Sequence, residues 1–171
     1  MKITILRGDI TLLDVDVIVN AANRSLLGGG GVDGAIHRAA GPQLLDECLK
    51  IRKERYVQGL PTGSAVITIG FNLSTKYIIH TVGPIFGKDD VILLKDCYHN
   101  SLRLAEENDC ETIAFPSIST GTYGVPITQA VKIVKKVLED FTSKSIKEVL
   151  LIMYSEEDLK VYQETFNQQH L

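Results

Sequence analysis

The amino-acid sequence predicts an α/β domain with a mixed sheet that helices cover on both faces. Strand-like and helical runs alternate in the C-terminal half, and the strand-like runs are uniformly apolar, as in parallel sheets buried on both sides. A short loop joins the strand-like residues 64–69 and 76–82, which predicts an antiparallel hairpin and therefore a mixed sheet. The length of 171 residues fits one domain that comprises residues 1–171.

Each remaining element rests on a local pattern. Residues 2–6 alternate between apolar and polar side chains as an edge strand does, and residues 16–21 form a more continuously apolar strand. Pro42 suits the first turn of a helix over residues 42–53. The same kinds of pattern predict helices over 34–40, 91–107, 128–141 and 158–166, strands over 112–115 and 148–154, and a turn over 59–63.

The composition restricts the class of protein and its compartment. A net charge of −3 and an isoelectric point near 5.8 argue against broad binding of nucleic acid, which requires a basic face. Cys48, Cys97 and Cys110 are odd in number and widely spaced, which favours reduced thiols over disulfides or a zinc site. No apolar run suits a signal peptide or a membrane span. We expect a cytoplasmic monomer without a metal or a cofactor.

The central feature of the sequence is a run of four glycines at residues 28–31. It follows a buried strand and an Asn-rich turn, and a helix-like segment begins just after it, at Asp33. Ordering consecutive glycines costs much chain entropy, so the run indicates that bare backbone N–H groups approach a ligand closely. Phosphate is the commonest such ligand, and the helix N-terminus adds its positive dipole end. We therefore predict an anion-binding cradle with the Asn23 amide and the Asp33 carboxylate beside it.

A second loop, over residues 116–126, has the same place in the chain pattern, after a buried strand and before a helix. It is rich in glycine and small hydroxyl residues, so its N–H groups could hold a second phosphate. Tyr123 has little local packing, which leaves its ring free to cover a sugar or a base. Because ligands of α/β sheets bind beyond the carboxyl ends of the strands, we expect the two loops to face each other across one cleft.

Three polar residues near these loops allow both a structural and a functional interpretation. Asp9 follows the first strand and could cap a turn or accept a hydrogen bond from the exocyclic amine of a base. Asn23 could brace its own turn, and Asp33 could cap the helix over 34–40. A capping carboxylate on the rim of a phosphate cradle would be repelled by the phosphate, which favours a chemical role for Asp33.

Three further polar residues are interpreted as structural. Asn20 stands at a strand end, where an asparagine often braces the following turn. His37 lies one turn into the helix after the glycines and His80 lies in a strand, and apolar neighbours in the sequence surround both.

Known nucleotide and hydrolase motifs fit the sequence poorly. The glycine run formally matches G-x-G-x-x-G, but it stands too far from the strand and no acidic residue ends the next strand, so a Rossmann fold is disfavoured. The sequence around Gly83 lacks the spacing of a P-loop. The sequence around Ser119 lacks the first glycine of a nucleophile elbow.

Five segments together resemble a stand-alone macro domain of the MacroD type. They are residues 8–11, 19–23, 27–41, 79–84 and 116–124, and the likeness extends over roughly residues 3–154. The long glycine motif is highly specific to that subgroup. The resemblance implies a three-layer α/β/α fold that binds ADP-ribose in a deep cleft, with acylated ADP-ribose and mono-ADP-ribosylated proteins as partners.

The resemblance also implies roles for individual residues. By position, Asp9 would accept a hydrogen bond from the adenine N6 amine, and the Ile10 backbone would contact a ring nitrogen. Asn23 would orient the distal ribose, and Tyr123 would lie against it. The pyrophosphate would be held by Gly29, Gly30, Gly31 and Val32 of the first loop and by Ser119, Thr120, Gly121, Thr122 and Tyr123 of the second.

MacroD-type members release acetate from O-acetyl-ADP-ribose and ADP-ribose from modified aspartate or glutamate side chains. The residues of this chain agree, since they show neither a Ser-His-Asp or Cys-His set for covalent catalysis nor a metal-ligand pattern. The remaining mechanism uses a water held between the Asp33 carboxylate and a ligand phosphate, while Asn23 fixes the ribose. Asp33 could remove the proton or orient the water. Two alternatives stay open: a non-catalytic module that binds ADP-ribose, and a phosphatase for ADP-ribose 1″-phosphate.

Overall fold

The structure, a computed structural model, describes residues 1–167. The described strands are β1 (Lys2–Arg7), β2 (Val17–Ala22), β3 (Ala65–Ile69), β4 (Tyr77–Val82), β5 (Thr112–Pro116) and β6 (Glu148–Met153). They form one six-stranded sheet with the order β1-β6-β5-β2-β4-β3. The β3–β4 pair is antiparallel and the other pairs are parallel, so the sheet is mixed, as predicted, and its pairs are mostly parallel.

Helices cover both faces of this sheet. On one face lie α1 (Gly31–Ala40) and α2 (Pro42–Glu54), whose buried residues share a core with one side of the central strands. The opposite core includes α3 (Leu93–Glu107), α4 (Ile127–Asp140) and α5 (Glu156–Asn167). The arrangement confirms the predicted three-layer α/β/α fold. In the part of the chain that the structure describes, none of the helices has the length and apolar character needed to cross a membrane.

The central strands are largely apolar because they contribute side chains to both cores. Successive side chains of a strand point to opposite faces of the sheet. In β2, Val17 and Val19 therefore enter the core under α3 and α4, whereas Ile18 between them enters the core under α1 and α2. In β4, Ile79 and Ile78 divide between the two cores in the same way. This explains why the sequence shows continuous apolar runs rather than alternation.

The predicted element boundaries agree with the structure to within two residues, with one consequential exception. The helix predicted over 34–40 begins at Gly31, so Asp33 lies inside the first turn and does not precede the helix. Because glycine has a low helix propensity, the sequence pattern does not indicate that the helix begins at Gly31. The structure also contains a short 3-10 turn, Ile10–Leu12, that the sequence analysis did not predict.

The sheet order places both glycine-bearing loops at the same edge. Strands β2 and β5 are parallel neighbours, with Val17 opposite Ile113. Their carboxyl ends therefore meet at one edge, from which residues 23–30 lead to α1 and residues 117–126 lead to α4. This is the edge at which α/β sheets bind ligands.

Candidate active site

The glycine run ends in an open helix N-terminus. Gly30 is the N-cap residue of α1, and no side chain caps this end of the helix. Gly28 and Gly31 have φ angles of +89° and +57°, a region in which residues with a side chain are strained. Gly29, Gly30 and Gly31 are exposed and Val32 is half-buried. The first N–H groups of α1 thus remain available to an anion, whose binding stays a prediction.

A close backbone contact holds the glycine run against α1. A Cβ atom on Gly34 would lie 2.4 Å from the carbonyl oxygen of Gly29, a distance that real structures do not tolerate. The loop can therefore approach the first turn of the helix only because residue 34 has no side chain. This packing fixes where the exposed N–H groups point.

Asp33 is buried beside the cradle and is held by a polar partner. The residue is 5 % exposed, and its Oδ1 accepts a hydrogen bond of 2.8 Å from Asn20 Nδ2. His37 Nε2 lies 3.6 Å from the same oxygen, beyond hydrogen-bonding distance. Burial raises the pKa of the Asp33 carboxyl, and the Asn20 hydrogen bond and the nearby His37 partly oppose that shift. The carboxylate is fixed in orientation and is a stronger base than an exposed aspartate.

Asn23 braces its turn and also lies close to Asp33. Its Nδ2 donates to the Gly28 carbonyl at 2.9 Å, and its Oδ1 accepts from the Ser25 amide at 3.1 Å. A Cβ on Gly29 would be 3.3 Å from both Asn23 Nδ2 and Asp33 Oδ2. The amide and the carboxylate therefore converge on the same exposed glycine.

The second loop, residues 116–126, is held in place by its own hydrogen bonds and by one from a neighbouring loop. Ser119 adopts a φ of +67° and its carbonyl accepts from the Val125 amide at 2.9 Å. The hydroxyls of Ser117 and Thr120 bond to each other at 2.6 Å. The Tyr123 carbonyl accepts from the Phe86 amide at 2.8 Å, which ties the loop to the segment after β4.

These bonds leave part of the second loop available to a ligand. Gly121 and Thr122 are exposed, Thr120 and Tyr123 are half-buried, and the Ser119 Oγ is buried without a hydrogen-bond partner in the described residues. Their direct contacts with a ligand remain predictions. The structure brings this loop and the glycine run to the same edge of the sheet.

Asp9 and Ile10 lie near the same edge, at the end of β1. Asp9 Oδ1 accepts from the Thr11 amide at 2.9 Å and from its hydroxyl at 2.6 Å, so Asp9 caps the 3-10 turn. Ile10 is buried in the core that also contains Ile18 and Ala22, and the turn packs against α1 and β5. The structural interpretation of Asp9 is thus confirmed, while the contact with a base amine stays a prediction for this exposed residue.

The interpretation of Asn20 as a turn brace is wrong, because this residue lies within β2 and donates to Asp33. The same Nδ2 lies 3.1 Å from Nδ1 of His80, whose Nε2 lies 3.1 Å from Thr68 Oγ1. His80 is therefore not held by apolar contacts alone, and His37 lies beside the carboxylate. The sequence carried one signal of this network, since Asn20 and His80 are the strongly polar residues of two mostly apolar strands.

The arrangement determines which chemistry is available. Exposed backbone N–H groups can hold a diphosphate, and one oriented carboxylate can activate a water beside it. Among residues 1–167 no group of three or more His, Cys, Asp and Glu side chains is placed to hold a metal ion. The described residues favour binding of an anionic ligand and acid–base chemistry.

Comparison with known proteins agrees with this geometry. The family model described as the macro domain matches residues 19–134. The O-acetyl-ADP-ribose deacetylase of Escherichia fergusonii is 51% identical over 174 aligned positions, which cover 98% of this chain and 97% of that protein.

Solved structures give the same result. A variant of the Oceanobacillus iheyensis macrodomain with ADPR superimposes with a TM-score of 0.92 at 46% identity, over 96% of this chain and 91% of that one. The Trypanosoma brucei macrodomain in complex with ADP-ribose gives 0.85 at 39% identity, over 96% and 68%. This chain belongs to the macro domain family.

Proposed function

We propose that this chain is an ADP-ribose-binding hydrolase that cleaves ribose esters. Its substrates are O-acetyl-ADP-ribose, from which it releases acetate, and proteins that carry mono-ADP-ribose on acidic side chains. The observation that carries the proposal is the buried Asp33 carboxylate, fixed next to an exposed glycine cradle at the N-terminus of α1. The deacetylase activity named for the Escherichia fergusonii relative supports it.

The ligand occupies the cleft between the two loops in this proposal. The pyrophosphate lies on N–H groups of both loops, because these groups are uncharged donors at the carboxyl edge of parallel strands. The adenine lies towards Asp9 and Ile10, and the distal ribose lies towards Asn23 and Tyr123. The pyrophosphate contacts come from Gly29, Gly30, Gly31, Val32, Ser119, Thr120, Gly121, Thr122 and Tyr123.

Asp33 supplies the base in the proposed reaction. Asn20 donates a hydrogen bond to Asp33 Oδ1, and Asp33 Oδ2 is the atom that faces Gly29 and Asn23. A water attacks the ester carbonyl carbon, Asp33 accepts its proton, and the ribose oxygen leaves and takes up a proton. The products are the free acid and ADP-ribose. The raised pKa of Asp33 suits this role, because a base accepts a proton more readily as its pKa approaches the working pH.

The test is the substitution Asp33→Asn. It preserves the size of the side chain, and its Oδ1 can still accept the Asn20 hydrogen bond, but it cannot accept a proton. We expect kcat for O-acetyl-ADP-ribose to fall about a hundredfold or more, the range of a general base. Calorimetry should find the affinity for ADP-ribose within a few-fold of the wild type, because backbone N–H groups bind the diphosphate.

The alternatives predict other outcomes. A module that only binds ADP-ribose would bind with the same affinity and give no product from any ester with the wild-type protein. A phosphatase would hydrolyse ADP-ribose 1″-phosphate faster than the acetyl ester at equal enzyme concentration. Unchanged turnover in Asp33→Asn would refute the catalytic assignment.

A further inference from the structure

A chain of buried polar groups continues behind Asp33 across three strands. Asn20 in β2 and His80 in β4 are 0 % exposed, and Thr68 in β3 is 6 % exposed. The links are Asp33 Oδ1 to Asn20 Nδ2 at 2.8 Å, Asn20 Nδ2 to His80 Nδ1 at 3.1 Å, and His80 Nε2 to Thr68 Oγ1 at 3.1 Å. Thr68 Oγ1 also donates to the Ile69 carbonyl at 3.1 Å. Buried polar groups in such a series constrain one another, because none can turn to water.

The ends of the chain determine which atom donates at each link. An ionised carboxylate only accepts, so Asn20 must present its NH2 group to Asp33. The second N–H of that group points to His80, which must therefore accept through Nδ1. A neutral imidazole then carries its proton on Nε2, and this N–H donates to Thr68. The Thr68 hydroxyl has its own acceptor in the Ile69 carbonyl, so every link has one defined direction.

His80 is neutral in this arrangement. Burial lowers its pKa to about 3, and the nearby His37 acts in the same direction. A neutral ring has two possible tautomers, and the Thr68 hydroxyl, already donating to the Ile69 carbonyl, accepts only from the tautomer with the proton on Nε2.

We propose that His80 and Thr68 are positioning residues for the Asp33 carboxylate, although neither touches the substrate. The Thr68 hydroxyl selects the His80 tautomer, the tautomer selects the orientation of the Asn20 amide, and the amide keeps Asp33 ionised with Oδ2 directed at Gly29. The inference deepens the proposed function and rests on it, because the carboxylate matters only if it acts on the substrate.

Loss of the Thr68 hydroxyl should reverse the direction of the hydrogen bond between Asn20 and His80. Without an acceptor at Nε2, the His80 proton moves to Nδ1, and the Asn20 amide turns its oxygen towards that N–H. The same oxygen then faces Asp33 Oδ1, which removes a donor from the carboxylate and adds a repulsive contact. Both changes disfavour the ionised form.

The other ionisable groups around Asp33 stay constant in this comparison. From α1, His37 lies 3.6 Å from Oδ1. From α2, Cys48 interacts with the carboxylate, and burial followed by that interaction raises the pKa of its thiol to about 12, so it stays neutral. The 3-10 turn that packs on α1 contributes Asp9 at its N-cap, which is exposed and bonded to Thr11. None of these groups is altered by a change at Thr68.

The experiment compares Thr68→Val with Thr68→Ser. Valine keeps the shape and loses the hydroxyl, whereas serine keeps the hydroxyl and loses only a methyl group. For Thr68→Val we expect the acidic limb of the pH profile of kcat/KM to move up by about one pH unit, the effect of one lost hydrogen bond to a charged group. Hydrolysis of O-acetyl-ADP-ribose should then fall about tenfold below the midpoint of that limb and recover at higher pH. Thr68→Ser should follow the wild type.

Two NMR measurements test this series of hydrogen bonds without an activity assay. In ¹⁵N-histidine-labelled wild type, the His80 ring should show a protonated Nε2 and an unprotonated Nδ1, and Thr68→Val should exchange them. In ¹³C-aspartate-labelled protein, the carboxyl that disappears in Asp33→Asn should titrate about one pH unit higher in Thr68→Val than in Thr68→Ser.

The outcomes separate this inference from the proposed function. A wild-type His80 protonated on Nδ1, or equal Asp33 titrations in both Thr68 variants, would overturn the inference whatever the activity. Equal displacement of the pH profile in both variants would also overturn it, because the effect would then follow from packing in β3. A wild type that hydrolyses no ester would refute the proposed function, while the NMR comparison would still decide the hydrogen-bond chain.

Discussion

Gly34 illustrates how a single missing side chain sets the geometry of the site. It lies inside α1, where alanine is ordinarily about 1 kcal/mol more stable than glycine. Here the added Cβ would lie 2.4 Å from the Gly29 carbonyl oxygen, so packing opposes propensity. A backbone atom cannot rotate away, and the glycine run itself would have to move.

We predict that Gly34→Ala destabilises the protein by about 1–3 kcal/mol, the usual cost of overpacking, despite the gain in helix propensity. Displacement of the cradle should also weaken ADP-ribose binding at least about tenfold. Denaturant unfolding and calorimetry measure the two effects. Gly8→Ala is the matched control, because nothing lies within 4 Å of a Cβ there. A Gly34→Ala protein that is more stable than the wild type and binds normally would contradict the prediction.

At the scale of elements, the end of β4 determines the position of the second loop. Gly83 directly follows β4, and a Cβ on it would lie 2.1 Å from Ser119 Oγ and 2.7 Å from Ile118 Cγ2. Ile118 is 1 % exposed and Ser119 has a constrained backbone, so neither can move aside freely. The Phe86 amide also donates a hydrogen bond to the Tyr123 carbonyl, which links the segment after β4 to the second loop. The segment after β4 and the second loop therefore pack as one unit.

Gly83→Ala should therefore lower the free energy of unfolding by about 1–3 kcal/mol and weaken ADP-ribose binding. Adding Ser119→Ala removes the nearest clashing atom, a hydroxyl without a hydrogen-bond partner, and should restore part of the lost stability. A double-mutant cycle by denaturant unfolding measures this coupling. Strictly additive effects of the two changes would show that the contact between β4 and the second loop is unimportant.

At the scale of the whole molecule, the buried polar network makes stability depend on pH. His80 titrates near 6.5 when unfolded and at about 3 when folded, because burial disfavours its charged form. The folded state therefore binds fewer protons than the unfolded chain between these values. Its stabilising contribution is complete above about pH 6.5 and decreases as the pH falls towards 3, by at most about 1.4 kcal/mol per pH unit.

Asp33 acts in the opposite direction, because its pKa is raised on folding and its contribution is lost as the pH rises through that raised value. Comparing the wild type with His80→Gln isolates the histidine. We predict that the unfolding free energy of the wild type falls more steeply than that of His80→Gln between about pH 6 and pH 4. Parallel curves over that range would contradict a neutral, buried His80.

The sequence by itself determined the fold class, and it predicted where a site should lie. Short continuous apolar runs predict strands buried on both sides, and a run of four glycines before a helix predicts an anion cradle. Asn23 and Asp33 are predicted site residues because both lie within the segment that carries the motif. The helix predicted from the sequence begins three residues after the observed N-terminus of α1, because the glycines in its first turn have weak helix propensity.

Only the tertiary structure decided what lies behind Asp33. Asn20 lies on β2, whereas Thr68 and His80 lie on the β3–β4 hairpin much further along the sequence. The three residues meet because β2, β4 and β3 are neighbours in one sheet. Local patterns reveal which residues share a helix turn or a strand face. They do not reveal strand order, so a polar residue inside an apolar strand has no visible partner until the sheet is assembled.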